Sequence, residues 1–130
     1  MKRILSIAAA LFLGSFLIVA QPQKSASNQI ETRCGWFYNP TPANISLYDS
    51  EAEWIVGVQG GYQVEGDWAW PNFGEQWVKT NINYGYGCAC LDVQVKKQTH
   101  HIVSIKNSYA KPLKACRQDE ALRKWDNLFE

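Results

Sequence analysis

The residues best suited to bind a ligand lie in one short segment, where aromatic side chains alternate with carboxylates. Trp68 and Trp70 stand beside Glu65 and Asp67, and Tyr62 precedes them. Aromatic faces can stack on sugar rings, while carboxylates accept hydrogen bonds from the sugar hydroxyls. These five residues are therefore the candidate ligand-binding set, with a glycan as the candidate ligand. The competing interpretation is that the tryptophans fill the core, as most large aromatic side chains do.

Catalytic chemistry has weaker support in the sequence. Glu65, Asp67 and Glu75 could supply the carboxylate pair of a glycosidase, whose two groups must lie about 5 to 9.5 Å apart. His100 and His101 are adjacent, so in a strand they point to opposite faces and cannot easily share a metal ion. No recognised nucleophile motif is present in the sequence. We therefore predict no catalytic residue, no metal and no cofactor.

The four cysteines predict two disulfides. Cys88 and Cys90 would lie on one face of a strand with their Cα atoms about 6.6 Å apart, and their parallel Cα–Cβ directions do not suit a mutual bond. Each must therefore pair with Cys34 or Cys116. Two pairings stay open, and we favour Cys34–Cys88 with Cys90–Cys116 over Cys34–Cys90 with Cys88–Cys116. The cysteine spacing does not match that of structural zinc sites.

The elements that must position these residues are short strands separated by turns. The clearest strand is 87–95, in which Ala89, Leu91, Val93 and Val95 share one face. A turn at 96–99 and the alternation of His101, Val103 and Ile105 predict a returning strand. Other predicted elements are strands at 34–38, 45–48, 54–58 and 77–80, a loop at 65–74, and a helix from Asp119 to Phe129 that presents Leu122, Trp125 and Phe129 on one face. This pattern predicts a mainly β fold, a small disulfide-stapled β-barrel or sandwich with a short C-terminal helix.

The first twenty residues have the features of a cleaved signal peptide. Lys2 and Arg3 precede an apolar run that ends at Val19, and Ala20 is the small residue before the predicted cleavage point. The run is about sixteen residues long, shorter than the roughly 20 residues of a membrane-spanning helix. We therefore predict a periplasmic or secreted protein without a membrane anchor after cleavage. Residues 21–33 are predicted to be a flexible lead-in, and residues 34–130 one domain.

The charge balance argues against a nucleic-acid partner. Without residues 1–20 the chain has 11 basic and 12 acidic side chains, and such a near-neutral balance is not that of a general nucleic-acid binder. The basic residues are concentrated after residue 95, where a solvated face is the simplest interpretation. The expected partner is an envelope protein or a glycan.

Several short motifs resemble one bacterial family. They are Cys34-Gly-Trp36, Asn39-Pro-Thr-Pro42, Gln59-Gly-Gly-Tyr62, Trp77-Val-Lys-Thr-Asn81, Gly85-Tyr-Gly-Cys-Ala-Cys90 and Pro112-Leu-Lys-Ala-Cys-Arg117. Together they resemble the uncharacterised family domain of unknown function 4087, over roughly residues 34 to 120. The resemblance implies a bacterial exported protein and carries over neither an activity nor a catalytic residue.

Together, these observations favour a non-catalytic binding or interaction module of the periplasm or the cell exterior. The alternative is an envelope-glycan hydrolase that uses the loop carboxylates. The two hypotheses share the segment from Tyr62 to Trp70 but require different chemistry from it.

Overall fold

The structure is a computed structural model and describes residues 28–129. The predicted signal peptide, and the lead-in up to residue 27, lie outside the described residues. The strands are β1 (Glu31–Thr41), β2 (Asn44–Tyr48), β3 (Glu53–Gly57), β4 (Val78–Asn81), β5 (Tyr84–Lys96) and β6 (His101–Lys111). The helices are α1 (Leu113–Arg117) and α2 (Asp126–Phe129), with 3₁₀ turns at Gly74–Gln76 and Glu120–Trp125. The mainly β prediction is confirmed, and β1 begins inside the predicted lead-in.

The strands form a sheet that closes on itself. Its order is β1-β2-β3-β6-β5, and β1 also pairs with β5. All of these pairings are antiparallel except β3 with β6, which run parallel and meet where Ile55 faces His101. The short β4 pairs with the beginning of β5. The order and directions of the five ring strands are those of the OB fold, a partly open Greek-key barrel.

Strand β1 belongs to both sides of the barrel, and a glycine makes this possible. Residues 31–39 pair with β5, while the pairing with β2 begins at Trp36. A Cβ atom at Gly35 would lie 2.0 Å from the carbonyl oxygen of Tyr48. Any side chain at this position would therefore force β1 and β2 apart.

The barrel interior is filled by aliphatic and aromatic side chains. The inward alternation predicted for β5 is confirmed, because Leu91 and Val93 are fully buried. The alternation predicted for β6 is wrong, since Ile102 rather than Val103 lies in the core. The β5–β6 register shifts twice, between Asp92 and Val93 and between Gln94 and Val95. Each shift places an extra residue in β6, a β-bulge that changes which side chains point inward.

A buried arginine lies against the core tryptophan. The guanidinium carbon of Arg33 lies 3.7 Å from the ring centroid of Trp54, and its Nη1 lies 2.6 Å from Oδ2 of Asp49. Glu31 and Glu51 complete the ion-pair network. Burial alone would lower the pKa of Arg33, but the hydrogen bonds to these three carboxylates outweigh it and raise the pKa. The network thus holds a charge inside the fold, where an unpaired charge would be costly.

The C-terminal segment packs on the outer face of the barrel. Asp119 caps its first turn, and its Oδ1 accepts a hydrogen bond from the Ala121 amide at 2.9 Å. Leu122, Trp125 and Phe129 face the sheet as predicted. The outer cluster comprises these residues with Trp36, Tyr38, Tyr48, Val78, Tyr86, Cys88, Leu113 and Cys116. The predicted single helix is instead a 3₁₀ turn followed by the four-residue α2.

The two predicted disulfides are present, but the favoured pairing is wrong. The bonds are Cys34–Cys90 and Cys88–Cys116, the second of the two pairings left open by the sequence. Cys34 lies directly opposite Cys90 in the β1–β5 register, whereas Cys88 lies opposite Trp36. The Cα atoms of Cys34 and Cys90 are consequently only 4.0 Å apart.

No helix among residues 28–129 is long and apolar enough to span a membrane.

Candidate functional site

The candidate aromatic loop divides into two parts in the structure. Trp68 and Trp70 stack with ring centroids 5.6 Å apart, and the edge-on contact of Trp70 with the buried Phe37 has a centroid distance of 5.2 Å. Trp68 is half-buried and packs against the barrel core, while Trp70 remains 49% exposed. Both tryptophans therefore cover the core, although Trp70 keeps about half of its surface in solvent.

Phe73 from the same loop reaches the inner surface of β5. A Cβ atom at Gly87 would lie 2.5 Å from the Phe73 ring. Phe73 also packs against Phe37 and Trp77, with centroid distances of 5.6 and 4.9 Å. The absence of a side chain at Gly87 therefore leaves room for the Phe73 ring. The second half of the loop mainly shields the core from solvent.

The first half of the loop forms a cleft with the β5–β6 hairpin. The cavity has a volume of about 440 Å³. We call it the Tyr62 cleft, and it is lined by Tyr62, Glu65, Lys96, Thr99, His101 and Val103. Two of the five candidate ligand-binding residues, Tyr62 and Glu65, therefore lie in one cavity. Trp68, Trp70 and Asp67 do not line it.

Local hydrogen bonds fix the position of Tyr62. The chain folds back after β3, where the Val58 amide donates to the Tyr62 carbonyl at 2.7 Å. The Tyr62 hydroxyl donates to the Ile102 carbonyl at 2.7 Å, and the ring packs edge-on to His101 with centroids 4.3 Å apart. Burial, and to a lesser extent the charge of Glu65, raises the pKa of Tyr62. The hydroxyl therefore remains a protonated donor at neutral pH, which suits it to structure and not to general-base chemistry.

The cleft combines opposite charges with aromatic surface. Glu65 and Lys96 are both exposed, and neither forms an ion pair with another residue in the described range. Both charges are therefore available to a ligand. Thr99 adds a hydroxyl group from the hairpin turn.

The carboxylates proposed for hydrolysis do not meet in this cleft. Glu65 lines it, whereas Asp67 and Glu75 do not. A glycosidase of the common kind needs two carboxylates on either side of the scissile bond. Within the described residues, the cleft therefore does not bring together the carboxylates that the hydrolase hypothesis names.

The two histidines lie against different aromatic rings. His100 packs on Trp54 with centroids 5.1 Å apart, and His101 packs on Tyr62. Within residues 28–129, no three His, Cys, Asp or Glu side chains are grouped closely enough to hold a metal ion.

Sequence reasoning missed Lys96, Thr99, His101 and Val103 as parts of the site. They are far from Tyr62 in the chain and reach it only because β3 and β6 run side by side. The predicted hairpin placed the first three at or next to a turn, but nothing in the sequence linked that turn to the aromatic loop.

Comparison with known proteins finds one family. The family model described as "Protein of unknown function (DUF4087)" matches residues 28–123. No curated protein and no solved structure gives a significant match. The matched range contains the whole barrel, both disulfides and the Tyr62 cleft. The chain belongs to the family Protein of unknown function (DUF4087).

Proposed function

We propose that this protein is an exported, non-catalytic binding module of the periplasm or cell exterior, and that it holds a saccharide unit of the envelope in the Tyr62 cleft. The observation that carries the proposal is the cleft itself. An aromatic pair, Tyr62 and His101, lies there beside two oppositely charged side chains, Glu65 and Lys96, that form no ion pair within residues 28–129.

Each part of the cleft matches a part of such a ligand. The rings of Tyr62 and His101 offer apolar surface to a sugar ring. Glu65 can accept hydrogen bonds from hydroxyl or amide groups, and Lys96 can donate to a carboxylate. The ligand class is therefore a saccharide with an acidic substituent, such as a peptidoglycan fragment.

The two disulfides support an exported location. Disulfides form and persist in oxidising compartments such as the periplasm, and are rare in the cytosol. All four cysteines in the chain are paired, which is compatible with the predicted signal peptide and its removal.

The strand order adds support by analogy. OB folds bind oligonucleotides or oligosaccharides with one face of the barrel and the loops beside it, among them the loop between the last two strands. In this chain that loop is the β5–β6 turn, which supplies Thr99 to the cleft. Fold analogy alone does not establish function, so the proposal depends on the residues of the cleft.

Titration of the protein with soluble peptidoglycan fragments, followed by calorimetry, tests the proposal. We expect saturable binding that weakens about tenfold in Glu65→Gln and Lys96→Gln, because hydrogen bonds to charged groups contribute about 1.5 to 3 kcal/mol. Glu75→Gln is the matched control, since Glu75 is exposed and lies outside the cleft. It should bind like the unmodified protein.

Two results would count against the proposal. One is the absence of binding by folded protein at millimolar fragment concentration. The other is the release of smaller fragments on long incubation, with loss of that activity in Glu65→Gln, which would favour the hydrolase hypothesis instead.

A further inference from the structure

The side chain of Phe129 is enclosed by four aromatic rings on the outer face of the barrel. Trp36 stacks on it with centroids 5.2 Å apart, while Tyr38, Tyr48 and Tyr86 meet it edge-on at 5.3, 5.3 and 5.2 Å. We call these four rings the Phe129 cage. They come from β1, β2 and β5, and Phe129 is only 2% exposed. The four rings thus surround one aromatic side chain, which the C-terminal segment of the same chain supplies.

The main chain of Phe129 is held as well as its ring. The hydroxyl of Tyr86 donates a hydrogen bond of 2.8 Å to the Phe129 carbonyl. The cage therefore recognises a ring together with a carbonyl oxygen of the same residue, and this combination is found in an aromatic amino acid of a peptide.

Two donor groups near Phe129 have no acceptor within residues 28–129. A cavity of about 240 Å³ is lined by Trp36, Tyr86, Arg117, Asp126 and Phe129. The indole N–H of Trp36 is buried without an acceptor among residues 28–129. Arg117 forms no ion pair with any residue in that range. A buried donor without a partner is costly, and an acceptor on a ligand would remove this cost.

We propose that the Phe129 cage and this cavity form a second binding site, independent of the Tyr62 cleft, which recognises the C-terminal aromatic residue of a peptide. The ring enters the cage, and the α-carboxylate accepts hydrogen bonds from Arg117 and from the indole of Trp36. Phe129 mimics this ligand incompletely, because it is followed by Glu130 in the chain and offers a carbonyl in place of a free carboxylate.

The segment that now fills the site packs on the barrel but has few polar attachments to the other described residues. Past the bond at Cys116 it has no disulfide. Its polar anchors include the Trp125 indole N–H, which donates to the Asp49 carbonyl at 2.8 Å, and Lys124, which donates to the Ser50 carbonyl. The family match ends at residue 123, before Trp125 and Phe129. When the segment leaves, Asp126 leaves with it, and the cavity loses the carboxylate that would repel an incoming one.

The competition between segment and ligand can be measured in the full chain. Apparent affinity falls in proportion to the fraction of molecules with an open site. The Phe129→Ala variant empties the cage, and the probe is N-acetyl-Asn-Leu-Phe with a free C-terminal carboxylate. We expect calorimetry to show that this variant binds the probe at least tenfold more tightly than the unmodified protein does. The same probe with a C-terminal amide should bind at least tenfold more weakly.

Matched variants identify the carboxylate partner. Adding Arg117→Gln to Phe129→Ala should reduce binding of the free acid to the level of the amide. Adding Arg123→Gln should not, because Arg123 is an exposed arginine that does not line the cavity. Equal binding of acid and amide, or no binding by folded Phe129→Ala protein, would overturn the proposal.

A second variant keeps the proposal testable if Phe129→Ala does not fold. Trp125→Phe keeps a ring beside Tyr48 but removes the hydrogen bond to the Asp49 carbonyl, so it should increase the open fraction. We expect the free-acid probe to bind this variant several-fold more tightly than the unmodified chain. Unchanged affinity would overturn the proposal.

Discussion

The barrel interior and the outer cluster are both built from large apolar side chains, but they are closed in different ways. In the interior, Phe37 is surrounded by strands and by the loop that carries Trp68 and Phe73. In the outer cluster, Phe129 lies between the sheet and solvent on a segment that ends the described chain. The interior cannot open without separating strands, whereas the outer cluster can open by undocking one segment. Similar burial can therefore correspond to different local stability.

The two regions also differ in the partners of their buried polar groups. In the outer cluster, the Tyr86 hydroxyl and the Trp125 indole bond to backbone carbonyls that lie across the contact between segment and barrel. In the interior, the main polar group is the Arg33 guanidinium, which is held by three carboxylates. The outer contact thus has aromatic side chains whose polar groups bond across it, as is typical of an interface. The interior resembles a protein core.

The largest expected effect is in the interior. Phe37→Ala removes a side chain that is 0% exposed and leaves a cavity that surrounding strands cannot fill. We expect the free energy of unfolding to fall by about 3 to 5 kcal/mol, as measured by urea denaturation. Val58→Ala, at a side chain 40% exposed, should change it little. If Phe37→Ala lowers the free energy of unfolding by less than about 1 kcal/mol, the interior is not more rigid than the outer cluster.

Phe129→Ala should cost less, although Phe129 is almost as buried. The segment can undock, so the loss is limited to its docking free energy, about 1 to 3 kcal/mol instead of the usual 3 to 5. Hydrogen exchange should increase at residues 119–129 and remain slow in β5. Leu128→Ala is the control, because Leu128 is 50% exposed on the same helix. A loss equal to that of Phe37→Ala, with uniform exchange, would show that both regions unfold as one unit.

The smallest expected effect is the contribution of Tyr48, in the outer cluster, to the loss of stability at high pH. Burial, followed by the interaction with Glu53, raises the pKa of Tyr48 above its ordinary value of 10.0. Because the folded pKa is higher than the unfolded one, the contribution of Tyr48 is complete below pH 10 and is lost as the pH rises above it. We expect Tyr48→Phe to reduce the decline in urea midpoint between pH 9 and 11, a range that brackets this ordinary pKa of about 10.

Tyr109→Phe provides the matched control for that experiment, because Tyr109 is 43% exposed. An identical decline in the Tyr48→Phe variant and the unmodified protein would show that Tyr48 does not carry the pH dependence. The comparison between the regions would then depend on the two alanine variants alone.

Local pattern was sufficient to predict most of the strands of this fold, but not α1 or the division of the C-terminal segment into a 3₁₀ turn and α2. Alternation in β5, the hairpin to β6 and the apolar face of the C-terminal segment are all present, since each depends on residues close in sequence. The predicted alternation in β6 was wrong at its bulges, because the pattern of apolar residues does not show where a bulge inserts an extra residue. The favoured disulfide pairing was wrong for a related reason. Whether Cys34 lies opposite Cys88 or Cys90 depends on the register between β1 and β5, and the sequence pattern does not distinguish registers that differ by two residues.

The sites were predicted less completely than the elements. Tyr62 and Glu65 were identified from their types, but their partners lie on another hairpin. Arg33 was assigned to the lead-in, yet its charge lies against Trp54 in the barrel. The Phe129 cage was seen only as a helix face, because the four rings around it come from three strands. In each case the missing information was tertiary, namely which distant strand lies beside which.

The disulfides also determine how the domain would carry a mechanical load. A force applied to the chain before Cys34 and after Cys116 has a covalent route across the molecule. It passes through the Cys34–Cys90 bond, the three residues from Cys90 back to Cys88, and the Cys88–Cys116 bond. The hydrogen bonds of the barrel lie off this route. Under tension, an oxidised domain would therefore behave as a short, nearly inextensible link. The strand residues between Cys34 and Cys88 and between Cys90 and Cys116 would stay folded, because little of the force reaches them.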